Sequence, residues 1–101
     1  MFRQVYARGK SRANGLLVLY VLENGLQMRR LGVSVSKKVG NAVVRNRVKR
    51  LVKEAFRQLE EDLPNGLDMV FVARAASGRL ERDGSFLKVR SAVSHLLSAV
   101  K

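Results

Sequence analysis

Between Asn41 and Asp62 the apolar residues Val44, Val48, Leu51, Val52, Ala55 and Leu59 recur at steps of three and four, which at about 100° per residue sets them on one stripe of a helix. A helix this long must lay its stripe on an apolar surface that the rest of the chain supplies. On the same wheel Asn46, Lys49, Arg50, Lys53 and Arg57 fall on the opposite side, and Arg45 and Arg47 flank the stripe. Cations crowd the start of this helix and Glu60, Glu61 and Asp62 its end, both against the helix dipole. An arrangement that gives up stability at both ends suggests that the cations serve a ligand.

The flanking sequence supplies the receiving surface. Phe2, Val5 and Tyr6 have helical spacing among basic residues and predict a short helix ending near Gly9. Leu16 to Leu22 reads as a strand, closed by Glu23-Asn24-Gly25, a tight-turn signal that predicts a hairpin with a return strand from about Met28 to Ser36. In that return strand Leu31, Val33 and Val35 would face a core, and Gly32, Ser34 and Ser36 the other side. Such a small polar face suits either close approach of a large group or plain solvent.

Pro64-Asn65-Gly66 breaks the chain before another strand, Leu67 to Arg74. After a polar loop, Ala75 to Gly84, the segment Asp83-Gly84-Ser85 resembles a helix cap. Phe86, Val89, Val93, Leu96, Leu97 and Val100 then repeat with helical period, while Phe56, Phe71 and Phe86 are expected in the core. The order of elements predicts an α+β fold, a two-layer α/β sandwich with a small mixed sheet and a long central basic helix, in one domain spanning 1–101. If the strands flanking the long helix are parallel in one sheet, a right-handed crossover is the default.

The 101 residues carry 20 Lys and Arg against 8 Asp and Glu, a net charge of +12, on a chain apolar enough to fold. Cysteine is absent, which excludes disulfides, thiolate metal sites and a cysteine nucleophile. No apolar run is long enough to span a membrane and the first residues lack a signal-peptide pattern, so a cytoplasmic location is expected. The acids form no evident metal-ligand set. Asp68, the best single candidate, is better suited to a turn or edge role. His95 is the only histidine and has no second imidazole to work with. Gly32 to Lys38 lacks the second glycine and the hydroxyl residue of a phosphate loop.

What remains is binding. From Lys37 to Arg57 the basic residues are Lys37, Lys38, Arg45, Arg47, Lys49, Arg50, Lys53 and Arg57, with Glu54 the one acid among them, so a salt-bridged solvent face is poorly explained. Arginine suits bidentate phosphate contact, and Asn46 between two arginines can read a base edge or a ribose hydroxyl. If roughly six cations touch phosphates, affinity should fall with salt at a log–log slope of about −5. Gly40-Asn41, beside Lys37 and Lys38, suits either a phosphate held on free amides or a simple helix cap. Phe2, Tyr6 and Tyr20 could stack single-stranded bases or pack in a core.

The run Lys37-Lys38-Val39-Gly40-Asn41-Ala42-Val43-Val44-Arg45-Asn46-Arg47-Val48-Lys49-Arg50-Leu51, followed by Glu54, Phe56 and Arg57, resembles the bacterial ribonuclease P protein family, with its Arg-Asn-Arg signature at Arg45 to Arg47. The likeness continues through Phe2, Val5, Gly9, Gly32, Ser36, Asp68, Ala73 and Arg74. It implies a left-handed βαβ crossover in place of the default. It also implies an accessory subunit of a tRNA 5′-maturing endoribonuclease with no catalytic residue of its own. A catalytic RNA would cut the leader with magnesium held through RNA, no cofactor resting on the protein alone. Lys37, Lys38, Arg45, Asn46, Arg47, Lys49, Arg50 and Lys53 would bind RNA, and Phe2, Tyr6 and Tyr20 would line the cleft for the single-stranded leader. The implied partners are the catalytic RNA and precursor tRNA, with neither DNA nor a membrane. In the family a further basic segment usually precedes the residue matching Phe2, so a short first helix is expected here. A ribosomal or assembly-type RNA-binding protein is the alternative.

Overall fold

A computed structural model describes residues 1–80 and 85–100. Three helices, α1 (Phe2–Arg8), α2 (Ala42–Leu59) and α3 (Ser85–Leu97), accompany four strands, β1 (Lys10–Ala13), β2 (Leu17–Glu23), β3 (Arg30–Ser34) and β4 (Leu67–Ala73). The strands form one mixed sheet in the order β1-β2-β4-β3. β2 is antiparallel to both β1 and β4, whereas β3 runs parallel to β4 and reaches it through α2.

Register assigns each residue to a face. Leu17, Leu19, Met69, Phe71, Ala73 and Val33 point to the side covered by α2 and α3, where they meet Val48, Val52, Ala55 and Phe56 of α2 and Val89, Val93, Leu96 and Leu97 of α3. This is the core. Phe56 and Phe71 meet edge to face at its centre, ring centroids 6.2 Å apart, and Phe86 packs at its margin. The helical stripe behaves as its spacing predicts: Val48, Val52 and Ala55 are buried, and Val44, Leu51 and Leu59 are half-buried at its border. Short 3-10 turns, Glu60–Asp62 and Ala75–Arg79, follow α2 and β4.

One expectation needs correction. The strand before Asn24-Gly25 and the strand after it do not form a hairpin: β2 pairs with β1 and β4, and β3 lies on the far side of β4. Gly25 does take a positive φ of 71°, so the turn signal is genuine, but the start of β4 slots between the two strands. The Asn24 amide donates to the Gly66 carbonyl, and the Gly66 amide to the Met28 carbonyl. The apolar β4, with only Leu67 and Val72 short of full burial, takes a central place that a local hairpin would have denied it. β1 has no counterpart among the elements the sequence predicts. Lys10-Ser11-Arg12-Ala13 is exposed throughout, and an edge strand over which no helix lies carries no apolar alternation to announce it. The expected cap at Asp83-Gly84-Ser85 lies partly outside the described residues.

Candidate nucleic-acid interface

The helix that carries the charge begins at a side-chain cap. Asn41 Oδ1 accepts a hydrogen bond from the Val44 amide at 3.0 Å, so Asn41 caps the helix. Just before it, Lys37–Val39 forms a 3-10 turn with both lysines exposed and Val39 buried. That turn rests on the 75–79 turn at backbone distance: a Cβ at Gly78 would lie 1.8 Å from the Val39 carbonyl oxygen. Contact this close anchors Lys37 and Lys38 by their backbone and leaves their side chains free.

Along α2, Asn46, Lys49, Arg50 and Lys53 line one shallow depression of about 320 Å³ on the surface away from the core. Arg45 and Arg47, beside the apolar stripe, are half-buried, and in each the Nε has no hydrogen-bond partner. Arg47 Nη2 donates to the Leu80 carbonyl at 3.3 Å, which ties the helix to the chain after β4. Among the described residues, none of Lys37, Lys38, Arg45, Arg47, Lys49, Arg50 and Lys53 joins an ion pair, whereas Arg57 pairs with Glu54 one turn back. Side by side, these unpaired cations repel one another, and a polyanion would relieve that repulsion.

The second candidate surface lies on the opposite face of the sheet. There α1 crosses the strands with Val5 fully buried beneath it, and three rings form a chain: Phe2 to Tyr6 at 6.2 Å, then Tyr6 to Tyr20 edge to face at 5.0 Å. Phe2 and Tyr6 are each about two-fifths exposed, a compromise that neither core packing nor full solvation explains. Gly32 makes this possible, since a Cβ there would sit 2.5 Å from Phe2 Cζ. The small face of β3 therefore admits α1 at Gly32, while Ser34 stays half-covered and Ser36 exposed. Beside the rings, Val18, Val72 and Ser34 form a half-covered strip across β2, β4 and β3, and β3 leads on through Ser36 to Lys37. Rings and lysines thus border the same open strip.

On the far side of the rings the same face is closed by an ion pair. Asp68, buried at 1% exposure, accepts from Arg30 Nε and Nη2 at 2.6 Å each and from Asn24 Nδ2 at 2.9 Å. The Arg30 hydrogen bonds hold its carboxyl below the usual range, against burial, which pushes the other way, and Asn24 adds to the depression. Arg30 is raised in return, chiefly by the same hydrogen bond. Asp68, expected in a turn or edge role, instead lies buried in the central strand β4, where it ties Arg30 and Asn24 together. Among the described residues no three His, Asp or Glu side chains converge as a metal site, and His95 is exposed on α3.

The ribonuclease P family model matches residues 1–100. The chain belongs to the ribonuclease P protein family. It is 53% identical over 97 residues to the ribonuclease P protein component of Clostridium botulinum strain Langeland, covering 95% of this chain and 84% of that protein. Against the Clostridium kluyveri protein component the identity is 54% over 99 residues, with the same coverage of both. The RNase P protein from Thermotoga maritima superposes with a TM-score of 0.88 at 33% identity, covering 99% of this chain and 91% of that one. The Staphylococcus aureus RNase P protein gives 0.86 at 34% identity, with coverage of 99% and 88%. The fold expected from the element order is the fold of these proteins, and the role of the chain is that of the protein subunit of ribonuclease P, a tRNA-processing ribonuclease.

Within that family fold, the residues expected to bind RNA divide into three settings. Lys37 and Lys38 sit on the turn before α2, Asn46, Lys49, Arg50 and Lys53 share its outer depression, and Arg45 and Arg47 lie along its flanks. Phe2, Tyr6 and Tyr20 come together from two elements on the other face of the sheet. Sequence reasoning missed the strip of Val18, Val72 and Ser34, because a half-covered sheet residue looks like any other strand residue until the covering helix is placed.

Proposed function

We propose that this chain binds the catalytic RNA of ribonuclease P through the Lys37-Lys38 turn and the outer surface of α2, and receives the single-stranded 5′ leader of precursor tRNA on Phe2, Tyr6 and Tyr20. The observation that carries the reading is a division of the surface. One side presents cations without acid partners, suited to structured RNA phosphates, and another presents partly exposed rings suited to unpaired bases. The catalytic RNA then cleaves the leader with magnesium held through RNA. The chain's own residues bind and orient: the guanidinium and ammonium groups neutralise phosphates, and the rings hold the leader extended near the sheet. In this reading the protein is an accessory to the chemistry, and its excess of 20 Lys and Arg over 8 Asp and Glu suits binding phosphates.

The test is magnesium-dependent cleavage of a precursor tRNA at low salt by the protein alone, a bacterial ribonuclease P RNA alone, and both together. Mature 5′ ends that appear or rise sharply only with both establish the accessory role. Tight RNA binding with no gain over RNA alone would instead support a generic RNA-binding protein.

A further inference from the structure

A groove of about 760 Å³ opens on the core side of the sheet, where the end of α3 stops short of β1. Its volume is in the range of sites that take a small ligand or a few side chains. The floor is aliphatic: Val21 of β2, Leu67 of β4 and Val100, just past α3, are half-buried and supply its surface above the buried Leu19 and Leu96. No aromatic ring is among the residues that line it, so it offers bases nothing to stack on.

The rim has a different character. Arg8, Lys10 and Arg12 stand along one side with Glu23 as the one acid, and none of the three cations joins an ion pair among the described residues. Lys10 and Arg12 are both exposed on an edge strand, on the sheet face that carries the groove. No residue of α2 or of the Lys37–Val39 turn contributes to the groove, and the three rings lie on the other face of the sheet. The groove therefore stays open when RNA occupies the surfaces described above.

We propose that this groove docks an acidic segment of a protein partner, with aliphatic side chains on the floor of Val21, Leu67 and Val100 and carboxylates against Arg8, Lys10 and Arg12. Aliphatic floor and cationic rim each exclude a class of occupant. A neutral apolar peptide leaves the rim unanswered, and a nucleic acid leaves the floor without a stacking partner.

The probe is a short fluorescent peptide alternating glutamate and leucine, titrated into the full chain near physiological ionic strength and followed by anisotropy. Comparison probes are a glutamate–glycine peptide of the same length and a precursor tRNA. The expected result is peptide binding weakened about tenfold or more by the pair Lys10→Glu and Arg12→Glu, two exposed sites, and changed less than about twofold by Arg50→Glu with Lys53→Glu. Amide shifts on peptide addition should fall on β1 and Leu96–Val100. Equal loss with both pairs of variants, or equal affinity for the glycine peptide, would reduce the effect to diffuse charge and overturn the proposal. So would a Lys10→Glu, Arg12→Glu protein that loses precursor tRNA but keeps the peptide, since the groove would then be an RNA surface.

Discussion

Arg29 and Arg30 commit their guanidinium groups to the fold, whereas Lys49, Arg50 and Lys53 on α2 have no acid partner among the described residues. Arg29 donates to the Leu63 carbonyl and to Glu60 at 3.1 Å, which places a cation at the end of α2, where the helix dipole favours one. Of the acids at that end, unfavourable for the helix alone, Glu60 thereby acquires a cationic partner in Arg29. Arg30 closes over the buried Asp68. The contrast shows how one residue type serves two purposes. A cation with a shaped partner specifies structure, and one without a partner keeps its charge for something outside the molecule.

Replacing Lys49, Arg50 and Lys53 together by Ala presses hardest on this contrast. RNA affinity should fall on the order of 100-fold at low salt, with the salt slope shallower by about 2 to 3 units, as expected for three lost phosphate contacts. Melting should hold steady or improve as self-repulsion falls. Filter binding across a salt series and a thermal melt check both halves, and unchanged affinity would remove α2 from the RNA surface.

Asp68→Asn tests the paired set. It leaves Arg30 without its carboxylate, and because Arg30 is 41% exposed and partly solvated, the cost should be about 2 kcal/mol, below that of a fully buried pair. Urea denaturation measures it, and RNA affinity of the folded variant should be unchanged. The same carboxyl sets a pH dependence. Its folded pKa is depressed, so its stabilisation is complete above the ordinary carboxylate range and is lost as pH falls through that range towards the folded value. The acid limb of the stability–pH curve should flatten in Asp68→Asn, and an unaltered limb would assign acid sensitivity to other carboxylates.

Tyr6→Ala should weaken a precursor with a single-stranded leader by about tenfold, the value of one lost stacking contact, and leave leaderless tRNA alone. Equal weakening of both would return the rings to a packing role. The smallest effect belongs to Asn41→Ala, which removes the cap bond to Val44 and should cost about 1 kcal/mol in urea denaturation. A loss several times larger would mean that Asn41 supports more than one helix end.

The sequence by itself determined the parts of the protein whose signal is local. The stripe from Val44 to Leu59 has helical period because one face of α2 is buried, and its cations are visible because no acids stand within a helical turn of most of them. The run through Arg45-Asn46-Arg47 marks the family for the same reason, since its residues are contiguous. Non-local pairing left no such trace. Only the tertiary structure decided that β4 parts β2 from β3, because burial on both faces favours the central position while the Asn24-Gly25 turn speaks only for its own few residues. Likewise the rings of Phe2, Tyr6 and Tyr20 meet because Gly32 lets α1 down onto the sheet, and the groove beside β1 exists because α3 ends short of the sheet edge. Each depends on the approach of elements distant in the chain, a distance that hydrophobic period and turn chemistry do not encode.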